Sequence, residues 1–328
     1  MPAPFPPRPA RRRLLRRLAA ASLLPLLGAC QSQNPLAVAC NVWPGFELMF
    51  LARSEGWLPN DAIRLVETSS NSQSINALTQ GRVQAAALTL DEVLRVRATG
   101  LALSVVLVFD VSAGADVMVA RPEIRQLADL RGKVIGAETS ALGALVLAKV
   151  LNMAGLQASD VEIRPVALEG HLDAWRAGQL DALVSYEPTA GRLLAEGAHR
   201  LIDSRQFPES IFDVLAVRQD AIERHADAVK ALISAHFRGL RQLRQNPQDT
   251  AYRIGGHLGL AGDDALQAFH GLHLPGLAQN KSLLAVNGNL TAIGRELSSL
   301  MLAAGLLSRT DDLQGLITDA YLPDSESP

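Results

Sequence analysis

The chain has few residues that would support covalent chemistry or disulfide bonding. Only two cysteines occur among its 328 residues. Cys30 ends a signal-like segment, and Cys40 lies in the apolar run "LAVAC", which predicts a buried strand thiol with no disulfide partner. Nucleophile-elbow, zinc-protease and P-loop motifs are absent. His270 and His273 have metal-ligand spacing but no evident third ligand, so we expect no metal, no cofactor and no enzymatic activity.

Positive charge is also scarce beyond the N-terminus. Residues 1–29 hold six arginines and no acid, so the rest of the chain has 31 − 6 = 25 Lys and Arg against 33 Asp and Glu, a formal charge of −8. Such a chain is poorly suited to nucleic acid or to an anionic bilayer surface. The apolar stretch 18–27 is too short to span a membrane.

Residues 1–29 predict a bacterial signal peptide, with a basic stretch followed by an apolar one. "LGAC", residues 27–30, resembles a lipobox, in which Cys30 is lipidated before cleavage. Residues 30–35 then form a tether, and the protein is expected in the periplasm or at the cell surface, bound to the membrane through its lipid alone. "RRRLLR", residues 11–16, also resembles a twin-arginine signal, so the export route and the choice of membrane remain open.

Strand and helix patterns alternate from residue 36 onwards. Apolar strand runs such as "LAVACNVW" and "VQAAALTL" are separated by helical segments of about ten residues. This alternation predicts an α/β fold with open, mostly parallel sheets flanked by helices. The steps "GRVQAA" (81–86) and "GQLDAL" (178–183) are similar, which favours two related lobes.

The strand ends are the expected ligand site, because open α/β sheets bind ligands beyond the carboxyl ends of their strands. Four of the 14 aromatic residues lie at these ends. Phe46 and Phe109 are expected to pack helix against strand, whereas Trp43 and Tyr186 each combine a large ring with a polar tip beside a carboxylate and a proline. The predicted ligand-binding residues are Trp43, Glu47, Ser70, Asn71, Thr89, Asp91, Asp110, Glu138, Ser140, Tyr186 and Glu187.

Two features of these turns give opposite indications of ligand charge. Helix N-termini after Asn71, Thr89 and Ser140 offer backbone N–H groups that suit an anion. The same turns carry carboxylates and no Arg or Lys, and some of these acids are expected to cap helices. A carboxylate facing the cleft unpaired requires a donor or a cation. The sequence therefore favours a small planar ligand with amino or ring N–H groups over nitrate.

Five segments together resemble the periplasmic substrate-binding proteins of ABC importers in the nitrate, sulfonate, taurine and thiamine-precursor group. They are "WPGFELMFLARSEGWL", "LADLRGKVIGAE", "AGLQASDVEI", "AWRAGQLDALVSYEPTAGRLLAEGAHRLIDS" and "DVLAVRQDAIERHADAVKALISAHFRGLRQLRQNPQD". The resemblance covers about residues 36–305. It implies a two-lobed type II binding-protein fold, with 36–118 plus 213–328 as lobe I, 119–212 as lobe II, and hinge crossings near 117–120 and 213–217.

The resemblance also implies a function. A monomer would trap an aminosulfonate or a pyrimidine precursor between its lobes and deliver it to an ABC permease with its ATPase. Two alternatives remain open. One is a thiamine-pyrimidine-type biosynthetic enzyme using Glu47, Asp91 and His171, and the other is a ligand-binding partner of a membrane sensor.

Overall fold

The structure is a computed structural model that describes residues 1–3, 34–286 and 288–325. The expected signal peptide beyond residue 3, the lipobox and Cys30 lie outside the described residues. Residues 35–328 form one compact unit. Across the described ranges, no helix combines the length and the apolar character that crossing a bilayer requires.

The compact unit alternates strands and helices, as the sequence predicts. Its strands are β1 (Leu36–Asn41), β2 (Ile63–Thr68), β3 (Ala85–Thr89), β4 (Leu103–Ser112), β5 (Asp116–Ala120), β6 (Val134–Ala137), β7 (Glu162–Pro165), β8 (Ala182–Tyr186), β9 (His199–Asp203), β10 (Phe212–Arg218) and β11 (Leu272–His273). Its α-helices are α1 (Glu47–Ser54), α2 (Asn71–Thr79), α3 (Leu90–Ala98), α4 (Leu142–Ala154), α5 (His171–Arg176), α6 (Thr189–Ala195), α7 (Gln219–Ile222), α8 (Ala226–Gln245), α9 (Pro247–Leu258), α10 (Gly262–Gln267), α11 (Leu277–Leu284) and α12 (Asn289–Ala303).

The strands form two sheets. The first has the order β11-β4-β10-β3-β1-β2, and the second has the order β7-β6-β8-β5-β9. Strands β1, β2 and β3 run parallel to one another, as do β6, β7 and β8. Strand β10 is antiparallel to β3 and β4, and β5 is antiparallel to β8 and β9. Each sheet is therefore mixed, where the sequence predicts mostly parallel ones.

The chain passes between the two sheets twice. It leaves the first sheet at 113–115 and returns at 204–211. Gly114 lies in the first passage with φ +123°, a conformation that favours glycine. The expected crossings at 117–120 and 213–217 fall inside β5 and β10, so the passages precede these strands. An apolar strand pattern marks burial but not the sheet to which a strand belongs.

The long helix α8 covers one face of the first sheet and packs against α1. Its apolar stripe is buried, including Val229, Leu232 and Ile233. His236 lies on the same stripe and is fully buried, and burial lowers its pKa to about 3. The helix therefore packs its apolar stripe against the first sheet, where the His236 ring contacts Phe109 of β4. Its helical spacing predicts this buried stripe.

Candidate functional site

The turn after β1 brings an indole ring against a carboxylate. Pro44 opens a short 3₁₀ turn, which suits a residue that lacks an N–H. A Cβ on Gly45 would lie 1.8 Å from Asp110 Oδ2, so only glycine allows this approach. The indole Nε1–H of Trp43 donates a hydrogen bond of 3.0 Å to the same Oδ2 atom. The turn therefore fixes the orientation of the Trp43 ring.

Trp43 meets Tyr186, which ends β8 in the other sheet. The two ring centroids are 5.6 Å apart with an interplanar angle of 79°, an edge-to-face contact. Both residues are buried, with 4% of Trp43 and 7% of Tyr186 exposed. The aromatic pair predicted from the strand ends therefore spans the two sheets.

A small cavity lies beside this pair. It provides about 10 Å³, room for the centre of about one water molecule. Residues of both sheets contribute to it, and none of them is Lys, Arg or His. The lining residues are Asn41, Trp43, Phe46, Asn71, Thr89, Asp116, Leu142, Tyr186 and Asp213.

Buried polar atoms around the cavity have no hydrogen-bonding partner. Five of them belong to lining residues, and Asp91 Oδ2 and Asp110 Oδ1 lie behind these. A buried polar group without a partner costs about 1–3 kcal/mol, so their concentration here makes this cavity a candidate ligand site. The five atoms are Asn41 Oδ1, Asn71 Oδ1, Asp116 Oδ2, Asp213 Oδ2 and Tyr186 Oη.

Burial shifts the ionisation of the carboxyl groups. It raises the pKa of Asp116 to about 7, and the negative charge of Asp91 acts in the same direction. Burial likewise raises the pKa of Asp110 to about 7, against the hydrogen bond that Trp43 donates to it. The pKa of Asp213 is raised well above its usual range, first by burial and then by the charge of Asp110. Proton occupancy at this site therefore changes near neutral pH.

Carboxylates of the chain itself already occupy the helix N-termini that could have bound an anion. Glu92 accepts hydrogen bonds from the backbone N–H of Thr89 at 2.9 Å and of Leu142 at 3.0 Å. Glu138 accepts from the backbone N–H of Ser72 at 3.3 Å and from its hydroxyl at 2.6 Å. These amides already have acceptors within the protein, which removes the main feature that suited an anion.

Of the predicted ligand residues, Trp43, Asn71, Thr89 and Tyr186 line the cavity. Asp91 and Asp110 lie directly behind it, since Thr89 Oγ1 donates to Asp91 Oδ1 at 2.6 Å.

Three further predicted residues lie where the segments around α2 and α4 meet. Ser70 accepts a 3.4 Å hydrogen bond from the backbone N–H of Gln73 and so caps α2. Ser72 links this helix to Glu138 and, at 2.5 Å, to the hydroxyl of Ser140. Glu138 and Ser140 thus link the turn after β6 to helix α2, and neither they nor Ser70 line the cavity.

The two remaining predicted residues are placed elsewhere. Glu47 bonds His257 Nδ1 at 2.8 and 2.9 Å. Burial raises the pKa of Glu47 even though His257 opposes the shift, and the same hydrogen bond raises the pKa of His257. Because Glu47 is fully buried, its desolvation outweighs the pairing. Glu187 accepts from the backbone N–H of Gly191 at 3.1 Å and does not line the cavity.

Sequence reasoning missed five lining residues, namely Asn41, Phe46, Asp116, Leu142 and Asp213. Asp116 is the first residue of β5, and Asp213 is the second residue of β10. Both strands run against their neighbours, so their first residues lie at the same sheet edge as the last residues of β8 and β3. A search of strand beginnings in antiparallel strands would have found them.

A larger cavity of about 400 Å³ lies beside the second passage and is lined by Ser204, Phe212, His273 and residues of α11 and α12. None of the unpaired buried atoms described above belongs to the residues that line it. The smaller cavity, which residues of both sheets line with unpaired polar atoms, is therefore the candidate functional site.

Solved structures with the same architecture define the fold as that of periplasmic binding proteins. The periplasmic aliphatic sulphonate binding protein SsuA from Escherichia coli is 18% identical, with a TM-score of 0.70 over 86% of this chain and 92% of its own. The alkanesulfonate-binding protein SsuA from Xanthomonas axonopodis, bound to MOPS, is 18% identical with a TM-score of 0.71, covering 84% and 96%. The periplasmic nitrate-binding protein NrtA from Synechocystis is 9% identical with a TM-score of 0.64, covering 90% and 92%.

A family model described as "NMT1/THI5 like" matches residues 43–250. The chain therefore belongs to the NMT1/THI5-like family. No match was found among curated proteins. The resemblance to ABC substrate-binding proteins that the sequence shows is confirmed at the level of family and fold.

Proposed function

We propose that this protein is the solute-binding component of an ABC import system and that its ligand is a small planar molecule of the aminopyrimidine class. One observation carries the choice of ligand. The cavity presents unpaired acceptor atoms from Asp116, Asp213 and Asn71, and no basic side chain lines it. A ligand rich in N–H groups would pair those atoms, whereas nitrate or a sulfonate would add further acceptors.

An aminosulfonate fits less well than a pyrimidine. Its amino group would suit the carboxylates, but its sulfonate would need several donors in the same small space. The amides at the starts of α3 and α4 could have supplied them, and Glu92 already accepts from both. A flat aminopyrimidine would instead place its ring against Trp43 and Tyr186.

Binding in this proposal requires the two halves to move apart. The cavity of about 10 Å³ is far smaller than the several hundred Å³ of typical ligand sites. We propose residues 36–112 plus 212–328 as lobe I and 116–203 as lobe II, hinged at the two passages. Ligand contacts made from both lobes then favour the closed state.

The biosynthetic alternative receives no support from the geometry. None of Glu47, Asp91 and His171 lines the cavity. His171 is buried, with Ser185 Oγ at 3.1 Å and the carbonyl of Val166 at 3.3 Å from its ring nitrogens. Burial lowers the pKa of His171 to about 4, so it is neutral at pH 7.

Export, lipid anchoring and delivery to a permease also belong to the proposal. An uptake assay in cells lacking the protein separates transport from sensing.

A thermal-shift panel tests the ligand class. The probes are 4-amino-5-hydroxymethyl-2-methylpyrimidine, taurine, an alkanesulfonate and nitrate. At a hundredfold excess over its dissociation constant, a true ligand adds about 2.7 kcal/mol to the free energy of unfolding. We expect this from the aminopyrimidine alone, and stabilisation by only the sulfonate or nitrate would contradict the proposal.

The variant Tyr186→Phe sharpens the test. The hydroxyl of Tyr186 is buried without a partner, so its removal should leave the unliganded melting temperature unchanged. Loss of one hydrogen bond to the ligand should weaken affinity by roughly three- to tenfold. Tyr252→Phe removes the same atom from a residue that is 76% exposed and should change neither quantity.

A further inference from the structure

Two carboxyl groups of the site face each other across neighbouring strands. Asp110 of β4 and Asp213 of β10 are direct partners in an antiparallel register, so their side chains lie on one face of the sheet. Asp110 Oδ1 and Asp213 Oδ2 are both buried and have no hydrogen-bonding partner. Asp110 is 0% and Asp213 is 4% exposed. Two carboxyl groups buried side by side cannot both carry a negative charge without a large electrostatic cost, so the pair holds a proton that two isolated carboxylates would have released.

The other charged groups around the pair are mostly acidic. Asp116 faces it from β5, Glu92 faces it from α3, and the hydroxyl of Tyr186 lies near from β8. The remaining close partner is the uncharged indole N–H of Trp43. Within the described part of the chain, no Lys, Arg or His therefore lines the cavity beside the pair to balance a second ionised carboxylate.

The basic side chains nearest to the site interact with Asp91 and not with the Asp110–Asp213 pair. Arg95 and Lys149 interact electrostatically with Asp91, and neither lines the cavity. The guanidinium of Arg95 is directed at the carbonyls of Thr139 and Ala141, at 3.2 and 3.5 Å. These groups therefore leave the charge at the cavity itself uncompensated.

Two uncharged polar groups that line the cavity beside the carboxyl pair also lack hydrogen-bonding partners. Asn71 Oδ1 and the hydroxyl of Tyr186 line the cavity without partners, in residues that are 6% and 7% exposed. The acidic groups are thus part of a built binding site. A cation in this space would replace the charge balance that the shared proton now provides.

Resting on the proposed function, we propose that the ligand binds as a cation and that its arrival releases about one proton from the Asp110–Asp213 pair. The ligand keeps its own ammonium or ring proton. The proton shared by the two carboxyl groups passes to water and buffer, leaving both ionised against the ligand. The positive charge of the ligand replaces that of the released proton, so the net charge of the site does not change.

Proton release determines the direction in which the affinity for the ligand changes with pH. Because binding releases a proton, the association constant rises with pH while the pair still holds that proton, by up to tenfold per pH unit for one proton. The rise stops once the unliganded pair has lost the proton or the ligand has lost its charge. A neutral ligand of the same shape releases no proton and binds with little pH dependence.

Isothermal titration calorimetry of the full mature protein tests this directly. The cationic probe is 4-amino-5-aminomethyl-2-methylpyrimidine, and the neutral probe has a hydroxymethyl in place of the aminomethyl group. Each is titrated at pH 7 in phosphate and in Tris, whose ionisation enthalpies differ. For the cationic probe we expect at least tenfold tighter binding and an enthalpy difference between buffers that corresponds to about one released proton.

The variant Asp213→Asn identifies the source of the proton. It should abolish the buffer dependence and weaken the cationic probe at least tenfold, while changing the neutral probe less than threefold. Asp220→Asn is the matched control. Asp220 is exposed, lies just after β10 and pairs with Arg218, the last residue of that strand. This control should behave as the unaltered protein does. Should Asp213→Asn fail to fold, the buffer comparison on the unaltered protein still decides the matter.

The outcomes separate the two proposals. Equal affinity for both probes with no buffer dependence would overturn the proton-release inference and leave the proposed function standing. Failure of both pyrimidines to bind, with or without binding of a sulfonate, would overturn both proposals. Saturable binding of Ca²⁺ or Zn²⁺ alone at this site, competing with the pyrimidine, would overturn the assignment of an organic cation.

Discussion

Replacing Asp116 by Asn should flatten the pH dependence of stability in the ligand-free protein. Asp116 is 1% exposed, and burial raises its pKa from 3.8 to about 7. Between these values the folded protein binds a proton that the unfolded chain has released. The free energy of unfolding therefore falls as pH rises towards 7. One pH unit corresponds to about 1.36 kcal/mol, so the two units from pH 5 to pH 7 give a loss of about 3 kcal/mol.

Urea unfolding at pH 5 and pH 8 measures this loss. We expect the unaltered protein to lose about 3 kcal/mol more than Asp116→Asn over this interval, because asparagine cannot ionise. Asp61→Asn alters an exposed aspartate and should show the full loss. Identical pH dependence in the unaltered protein and in Asp116→Asn would refute the reasoning, since it would mean that Asp116 is solvated or paired when folded.

Two further substitutions test the surroundings of the site. Glu92→Gln would turn an amide N–H towards a backbone donor of Thr89 or Leu142, so we expect a loss of about 1–3 kcal/mol in urea unfolding and weaker ligand binding; unchanged values would show that these hydrogen bonds contribute nothing. The pKa of His257 is raised by Glu47, so this pair stabilises the fold fully below pH 6.5 and less as pH rises through the folded pKa. His257→Gln should therefore cost about 1–3 kcal/mol at pH 5.5 and less at pH 8.5 in chemical denaturation, and an equal cost at both values would exclude a protonated histidine.

The elements of the fold could largely be predicted because strand and helix patterns are local. "LAVAC" is the buried strand β1, and the helix that begins after Ala141 ends at Gly155 with φ +66°. Strand direction is set by contacts distant in sequence. Strands β5 and β10 read like their parallel neighbours, and only the pairing in three dimensions shows that they are reversed.

The site could be predicted in part for the same reason. Trp43 and Tyr186 come at the ends of parallel strands, where a search from sequence looks first. Asp116 and Asp213 come at the starts of reversed strands, so they reach the same edge from the other direction. The partner of Glu47 is His257, 210 residues away, which no local pattern reveals.

A crystal structure of the protein with 4-amino-5-aminomethyl-2-methylpyrimidine tests the central claim most directly. We expect the ring beside Trp43 and Tyr186, with N–H groups about 2.7–3.2 Å from the carboxylates of Asp116 and Asp213. A pyrimidine held elsewhere, such as in the larger cavity beside residues 204–212, would contradict it, as would a ligand whose acceptor atoms face these carboxylates.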